Sequence, residues 1–357
     1  MSAESTPSRR DKRRRGLKAA AWTAVGIVAL GGTGAGYLYV KLNGNIESLD
    51  IDQALGADRP EKGDDGSENI LVLGSDTRSG DNGKLGGGAD GGSARSDAAM
   101  IVHVHEGRRK ASVVSLPRDT VVDRPECTDT DGGTHPAASG VMFNSAYATG
   151  GAACVVKTVE SITGLRLDHY LEVDFTGFQK LVDELGGVEV TTSRGIDDPD
   201  SHLELEAGTH RLDGRQALGL VRTRHGVGDG SDLGRIQLQQ AFVKALVRQA
   251  GEVGVFAHPK KLYGLADTAT KAVTTDSGLG SVNSLMSFVN GLKDITPANM
   301  HMITMPVRYD PANGNRVLVQ EAKAEQVWEA LRKDDPIPGS VTENTAEGGA
   351  KGVVDAA

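Results

Sequence analysis

Residues 19–40 form an uncharged run, AAAWTAVGIVALGGTGAGYLYV, between Lys18 and Lys41. About 20 helical residues suffice to cross the hydrocarbon core of a bilayer, so this run predicts one N-terminal transmembrane helix. A cleaved signal peptide is the alternative, but its apolar core is only about 7–15 residues long and ends at a small-x-small site. This run is longer and ends in Tyr-Leu-Tyr-Val. A retained anchor is therefore favoured.

The segment before this run is strongly basic. Residues 1–18 contain seven Lys or Arg against two Asp or Glu. Basic flanks stay in the cytoplasm, so we expect a single-pass protein of the cell membrane, with a cytoplasmic tail at 1–18 and everything after Lys41 outside. A nuclear or nucleic-acid-binding patch is the alternative interpretation of a basic run. Its position directly beside an apolar run favours the topological one.

Composition bounds the remaining classes of protein. The chain is 38% hydrophobic and 24% charged, which is typical of a globular protein and excludes wholesale disorder, collagen and a polytopic membrane protein. The formal net charge of −9 argues against a nucleic-acid partner, and the acidic excess is larger still outside the basic segment. Two cysteines are too few for a disulfide-dense miniprotein or a four-thiolate zinc site.

Apolar runs alternate with helical patterns after residue 67. This alternation predicts an α/β fold, a single three-layer-like domain at 68–335 with a central mixed β-sheet flanked by helices. A polar stalk is expected at 41–67 and a disordered tail at 336–357. The predicted strands are Asn69–Gly74, Ala99–His105, Ser112–Leu116, Tyr170–Phe175, Gly187–Thr191 and His301–Met305, and the predicted helices are Asn144–Thr163 with a glycine break, Thr176–Leu185, Asp213–Leu220, Asp232–Ala250, Lys260–Val273, Leu279–Leu292 and Glu321–Lys333.

Polar side chains stand at the ends of three predicted strands. Asp76 follows the first strand, Arg95 and Asp97 precede the second, and Arg118 and Asp119 follow the third. Ligands of α/β folds bind at strand ends, and Mg²⁺ prefers a few carboxylates together with phosphate oxygens. For any single aspartate, capping a turn is the commoner explanation. Three such clusters favour a site modestly.

Two further patterns favour a phosphate ligand. If residues 222–224 are extended, Arg222 and Arg224 point to the same face, where paired guanidiniums could clamp an oxyanion. A solvated edge strand explains the pair equally well. On the helix that begins near Asp232, one stripe changes from polar to apolar and could follow an amphiphilic ligand, although an exposed first turn followed by core positions explains it too. The stripe consists of Arg235, Gln239, Phe242 and Leu246.

The thiols and two histidines complete the candidates. Cys127 and Cys154 are the only cysteines and lie in the part predicted to be outside the membrane, where disulfides persist, so a bridge is favoured over a free buried pair. His103 and His105 flank an apolar position on a predicted strand, and they are interpreted as packing or surface residues rather than metal ligands.

Six blocks of sequence occur between about Glu68 and Gln249: NILVLGSDTR, ARSDAAMIVHV, VSLPRDTVV, the segment that begins FNSAYATGG, LDGRQALGLVRTRH and DLGRIQLQQ. In this order they resemble the LytR–CpsA–Psr family of membrane-anchored cell-envelope proteins. The resemblance implies a phosphotransferase that moves a glycopolymer from a polyprenyl-pyrophosphate carrier to the C6 hydroxyl of N-acetylmuramic acid in peptidoglycan. It also implies Mg²⁺ as cofactor, with Mn²⁺ as a substitute.

The resemblance also implies roles for individual residues. Asp76 and Asp97 match the carboxylates that serve the metal, and Asp97 and Arg118 are expected at the reacting atoms. Phe242 and Leu246 are expected to line a lipid groove. The residues expected to hold the pyrophosphate are Arg95, Arg118, Arg222, Arg224, Arg235 and Gln239.

This chain departs from the family pattern in three places. Met142 and Leu238 stand where relatives often carry a basic residue, and a glycine-rich insert at 80–92 enlarges the loop between Asp76 and Asp97. Two other functions stay open at this level. One is a hydrolase of the same lipid pyrophosphate, with water in place of the sugar. The other is a non-catalytic lipid-carrier binder or envelope regulator, as the family's older attenuator label suggests.

Overall fold

The computed structural model describes residues 36–63, 66–75, 96–253, 259–346 and 349–356. The chain divides into two compact units, Met1–Asn45 and Ile46–Ala357, and residues 36–43 of the first are helical. The transmembrane helix predicted at 19–40 lies outside the described residues except for its last five positions. Within the described ranges, no helix combines the length and apolar character that crossing a membrane requires.

Strands and helices alternate along the second unit and are numbered here in chain order. The strands are β1 (Glu47–Leu49), β2 (Glu68–Ser75), β3 (Ser96–Val104), β4 (Ala111–Ser115), β5 (Thr120–Arg124), β6 (Cys127–Thr128), β7 (Thr134–His135), β8 (Ala138–Met142), β9 (His169–Asp174), β10 (Val188–Thr192), β11 (Ile196–Asp198), β12 (Leu203–Leu205), β13 (Gly208–Leu212), β14 (Val273–Asp276), β15 (Met300–Thr304), β16 (Val307–Asp310), β17 (Asn313–Val319) and β18 (Val354–Ala356). The helices are α1 (Ile51–Leu55), α2 (Ser145–Thr163), α3 (Phe175–Glu184), α4 (Gly214–Arg222), α5 (Asp232–Glu252), α6 (Pro259–Ala272), α7 (Val282–Gly291) and α8 (Glu321–Arg332).

Seven strands form the central sheet, in the order β1-β14-β9-β2-β3-β4-β15. The sheet is mixed, because β2 is antiparallel to β3 but parallel to β9, and β15 is parallel to β4. The α/β fold with a central mixed sheet is therefore confirmed. Five of the six predicted strands lie in this sheet, and the sixth is β10 in a separate sheet of three strands, β13-β10-β18.

One face of the central sheet packs against α2 and α8. Leu71, Leu73 and Ile101 have no exposed surface there and share a core with Val159 of α2 and Trp328 of α8. Continuous apolar runs on these strands made them recognisable in the sequence, because strands covered on both faces lack a polar alternation.

The other face of the central sheet is covered by α5 and α7. Nε2 of Gln240 on α5 donates to Oγ of Ser115 over 3.0 Å. The ring of Phe288 on α7 lies 5.8 Å from that of His169 on β9, centroid to centroid. Helices on both faces give the three layers that the alternating pattern predicts.

A second core joins α4 and α5 to the three-stranded sheet. Val190 of β10, Leu220 of α4 and Phe242 of α5 are buried together there. Residues 336–357, expected to be a disordered tail, take part in both cores: Val341 packs in the first, and Val354 of β18 packs in the second. Their scattered apolar side chains give no periodic signal, yet each is buried by a distant element.

The segment expected to be a stalk also contributes to the fold. Strand β1 pairs in parallel with β14 at the edge of the central sheet. Ile51 and Leu55 of α1 are each 3% exposed in the first core. Their spacing of four residues places both on one face of a short helix, which explains why so polar a segment docks.

The glycine break predicted in α2 is present at Gly150 and Gly151. Gly150 faces the predicted disulfide, which the structure contains: Cys127 of β6 is bonded to Cys154 of α2, with Cα atoms 5.3 Å apart. A Cβ on Gly150 would lie 2.3 Å from Sγ of Cys154, so only glycine fits against the bridge.

Candidate functional site

The candidate site lies where β3 begins and β4 ends. Asp97 is the second residue of β3, and Arg118 follows β4 after a Leu-Pro pair. These strands are antiparallel neighbours, so their two ends meet. Nη1 of Arg118 donates to Oδ1 of Asp97, which joins two of the side chains that the strand-end pattern singled out.

Asp232, which the sequence did not single out as a site residue, joins three of the predicted arginines. It is the first residue of α5, behind the N-cap Ser231. Its Oδ1 accepts a hydrogen bond from Nη2 of Arg235 and lies 3.4 Å from both Nη2 of Arg224 and Nε of Arg118. An acidic residue in the first turn of a helix is common for dipole reasons, so the sequence signal was an ordinary one.

Three guanidinium donors remain unused around this carboxylate. The Nε atoms of Arg118, Arg224 and Arg235 are buried and have no hydrogen-bond partner among the described residues. An unpaired buried donor is costly, and a charged one more so. Three such donors in one cluster make it a candidate anion-binding site.

Burial and charge change the pKa of two groups here. Burial lowers the pKa of Arg235; the charge of Asp232 opposes this shift, whereas those of Arg118 and Arg224 add to it. Burial likewise raises the pKa of the Asp119 carboxyl, and the negative charge of Asp232 raises it further against the three arginines. Asp119 thus retains its proton to a higher pH than an ordinary aspartate.

A cavity of about 480 Å³ opens beside the cluster. Asp119, Arg224 and Asp232 line it on one side. Tyr309 at the end of β16 lines it on the other, where its hydroxyl donates to Oδ2 of Asp229 over 2.6 Å. Tyr309 was missed in the sequence because β16 carries no signal beyond a short apolar–polar alternation. The cavity therefore gives a ligand access to Arg224, the arginine of the cluster that lines it.

Arg222 and Arg224 do not form the extended pair considered from the sequence. Arg222 ends α4, and Thr223 is its C-cap, because the Asp213 capping box starts a helix that runs to this point. The guanidinium of Arg222 lies over the ring of Phe175, 4.9 Å from its centroid. Arg224 is therefore placed in the cluster, whereas Arg222 stacks on an aromatic ring.

The stripe on α5 also divides between different surroundings. Arg235 lies in the cluster, but Nε2 of Gln239 donates to the carbonyl of Val221 over 2.9 Å and so fixes the end of α4. Phe242 is 1% exposed, with its ring 5.5 Å from that of Phe178 in the second core. Leu246 is partly buried against the same core. The structure gives these two side chains a packing position rather than an open groove.

Four residues singled out in the sequence remain to be placed. Asp76 and Arg95 lie outside the described residues. Leu238, at a position often basic in the family, is 1% exposed in the second core, where a charge would be costly. Met142 pairs with Val121 between β8 and β5.

Of the two carboxylates expected to serve a metal, Asp97 is the one that the structure describes. Its Oδ1 is paired with Arg118, and no described residue donates to its Oδ2. The side chain is partly exposed. Asp97 can therefore offer one hard oxygen ligand of the kind that Mg²⁺ prefers.

A mixed α/β sheet with arginines clustered at its strand ends makes this site a candidate for binding a polyanionic ligand. Residues 38–333 match the LytR_cpsA_psr family, and the chain belongs to it. It is 30% identical over 343 residues to the polyisoprenyl-teichoic acid–peptidoglycan teichoic acid transferase TagT of Bacillus subtilis, covering 92% of this chain and 98% of TagT.

Two other comparisons agree with the family. The cell wall biosynthesis protein LcpA of Corynebacterium glutamicum is 31% identical over 309 residues, which cover 79% of this chain but only 58% of LcpA. The chain thus spans less than two thirds of that relative. The structure of a LytR-Csp2A-Psr enzyme from Actinomyces oris shares the fold, with a TM-score of 0.60 at 23% identity, over 80% of this chain and 96% of that one.

Proposed function

We propose that this protein is a phosphotransferase that moves a glycopolymer from a polyprenyl-pyrophosphate carrier to the C6 hydroxyl of N-acetylmuramic acid in peptidoglycan. One observation carries the proposal: Arg118, Arg224 and Arg235 converge on Asp232, and their buried Nε atoms lack a well-formed hydrogen bond. A diphosphate supplies several acceptor oxygens and the negative charge that the cluster lacks. The similarity to TagT, whose name describes a transfer from a polyisoprenyl carrier to peptidoglycan, supports the same chemistry.

In the proposed complex the diphosphate enters from the cavity beside Arg224. Arg118, Arg224 and Arg235 donate to its oxygens, and Asp232 keeps the three guanidiniums together before the ligand arrives. Phosphoryl transfer depends mainly on positioning and on neutralising charge. A cluster already held by a buried carboxylate provides both.

The acceptor hydroxyl oxygen attacks the phosphorus on the glycan side of the pyrophosphate. A new P–O bond forms to the sugar, the bridging P–O bond breaks, and polyprenyl monophosphate leaves. The hydroxyl proton passes to an aspartate. Asp119 suits this role, because it lines the cavity and its raised pKa makes it a better proton acceptor than an ordinary exposed aspartate. Asp97, the other carboxylate expected at the reacting atoms, is paired with Arg118 instead.

Mg²⁺ belongs to this proposal as an expected cofactor. Asp97, together with Asp76, would hold it, and when bound it would neutralise part of the diphosphate charge. Arg118 then has two tasks of its own: it orients the Asp97 carboxylate through Oδ1 and directs its remaining donors at the phosphates.

The lipid tail is proposed to follow the sheet face under α5 and α7. Val72, Met100 and Val102 lie on that face and are only partly buried, unlike their neighbours on the opposite face. Leu171 and Met302 continue the same apolar surface on β9 and β15. Since Phe242 is enclosed by the second core, the tail would lie on this surface rather than against Phe242 and Leu246. A membrane anchor at 19–40 would keep the site close to the carrier.

One assay separates the proposed functions. The full-length protein is incubated with a polyprenyl-pyrophosphate glycan, peptidoglycan oligomers and Mg²⁺, and the linked phosphodiester product is measured. We expect product with the wild type and with R211A, a surface control, and none with R118A. Release of glycan phosphate without linkage would identify a hydrolase. Tight carrier binding without turnover, unchanged by R118A, would refute the catalytic proposal and favour a regulator.

A further inference from the structure

Three side chains able to bind a metal converge at the opposite end of β3 from the arginine cluster. His103 lies near the end of that strand, His105 just beyond it, and Asp334 follows α8. Oδ1 of Asp334 lies 2.9 Å from Nε2 of His103 and 2.6 Å from Nδ1 of His105. His103 has no exposed surface, and the other two are partly exposed.

The hydrogen bonds of His103 place either a second proton or a metal ion between its Nε2 atom and Asp334. Nδ2 of Asn69 donates to the carbonyl of Arg166 over 3.0 Å, so its Oδ1 faces Nδ1 of His103 at 2.8 Å and that nitrogen carries the proton. In a neutral imidazole, Nε2 then presents its lone pair to a carboxylate oxygen of Asp334. Two acceptors 2.9 Å apart repel each other unless a second proton or a metal ion lies between them.

The surroundings resemble those of bound metals. The second nitrogen of each ring is held by a neighbour, Asn69 for His103 and Ser112 for His105, whose Oγ lies 2.9 Å from Nε2. Metal-binding histidines are almost always oriented in this way. The second oxygen of Asp334 is fixed as well, since the N–H of Glu106 donates to it over 3.1 Å.

We propose that His103, His105 and Asp334 bind a divalent transition-metal ion, Zn²⁺ first among them, with water as the fourth ligand. Two imidazoles and a carboxylate suit Zn²⁺, and tetrahedral bonds of about 2 Å need ligand atoms about 3.3 Å apart. To reach that value, Oδ1 of Asp334 must lie about 0.4 Å further from Nε2 of His103 and about 0.7 Å further from Nδ1 of His105, and all three ligand atoms lie within 4.8 Å of one another. The site fastens the end of α8 to β3, and it gives both histidines a role beyond packing.

Zinc titration of the full-length protein, freed of metal by chelation, tests the site. We expect one high-affinity Zn²⁺ per chain, a rise in Tm on binding, and the visible absorption of four-coordinate Co²⁺ when cobalt is used instead. In D334N and in H105Q the affinity falls at least tenfold. D334N retains the shape of the side chain, and asparagine tolerates the positive φ of 55° at this position. H210Q, which alters a partly exposed histidine on β13, leaves binding unchanged.

Two outcomes would overturn the proposal. One is equal Zn²⁺ affinity in the wild type, D334N and H105Q, with matched circular dichroism spectra. The other is an NMR spectrum in which both ring nitrogens of His103 stay protonated in the presence of excess Zn²⁺. The latter would mean that a proton, and not a metal ion, lies between His103 and Asp334.

Discussion

The backbone N–H of Arg118 donates to Oδ2 of Asp232 over 3.2 Å, and Nε of the same arginine lies 3.4 Å from Oδ1 of that carboxylate. This contact joins the end of a central strand to the beginning of α5. Arg224 and Arg235 reach the same oxygen. One buried acid thus contacts three cations and keeps their guanidinium groups together.

Replacing Asp232 by asparagine should destabilise the protein. D232N removes the carboxylate that Arg118, Arg224 and Arg235 share, and breaking a buried pair in this way costs about 3 kcal/mol of unfolding free energy. Added pyrophosphate should restore part of the loss, because its charge replaces the missing one. Urea unfolding with and without pyrophosphate measures both effects. D229N, which changes the same cavity without removing an arginine partner, is the control, and equal losses in the two variants would contradict this role.

Arg118 should contribute directly to anion affinity. R118A removes a charged donor from the cluster, and one such hydrogen bond corresponds to about a tenfold to hundredfold change in affinity. Calorimetric titration with inorganic pyrophosphate measures it. R211A removes an arginine that pairs with Glu189 at 3.4 Å on the surface, and its affinity should equal that of the wild type. The same affinity in both variants would place the anion elsewhere.

As the pH is lowered, the transfer rate should begin to fall at a higher pH than it would if the base were an ordinary aspartate. A base works only when deprotonated, and the raised pKa of Asp119 moves its protonation upward from the usual value of about 3.9. The pH profile of the transfer reaction measures this limb. D119N should abolish most of the rate, and exposed D131N should leave both rate and profile intact. An unchanged acidic limb in D119N would assign the proton to another group.

The disulfide should stabilise the fold by about 3 kcal/mol, because it closes a loop between two residues that are 27 positions apart in the sequence. Substituting both Cys127 and Cys154 by serine should lower the free energy of unfolding accordingly, as measured in urea. Reductant should destabilise the wild type and leave the double variant unaffected. A denatured, unreduced wild type that takes up two alkyl groups would show that the bridge is absent.

The pair formed by His169 and Asp276 should make stability depend on pH. Burial lowers the pKa of His169, but the hydrogen bond and charge of Asp276 outweigh burial, so the pKa of His169 is raised overall. Burial raises the pKa of Asp276, but His169 and backbone N–H groups outweigh burial, so the pKa of Asp276 is lowered overall. The contribution of His169 to the free energy of unfolding is complete below about pH 6.5 and is lost as the pH rises through its folded pKa. The contribution of Asp276 is complete above about pH 4 and is lost as the pH falls.

The substitution H169N tests this window. The Tm difference between the wild type and H169N should be larger at about pH 5.5 than at about pH 8.5, since the charge pair exists in the wild type only at the lower value. H210Q should show no such difference. A gap of equal size at both values would mean that His169 acts by packing against Phe288 alone.

Local signals in the sequence determined much of this protein. Strands β2, β3 and β4 are recognisable in the sequence because a sheet covered on both faces needs continuous apolar runs. The sequence pattern predicts both ends of helix α5 to within two residues. Helix α4 begins directly after the Asp213 that caps it. The placement of Asp97 and Arg118 at neighbouring strand ends follows from the same pattern.

Only the tertiary structure decided how the polar residues combine. Asp232 has the sequence signal of any acidic residue in a first helical turn, and its three arginine contacts exist because the ends of β4, α4 and α5 meet. Phe242 could face a ligand or a core on pattern alone, and the folded helix turns it into the second core. Sequence periodicity specifies which residues share a face of one element, but burial and charge pairing depend on which other element covers that face.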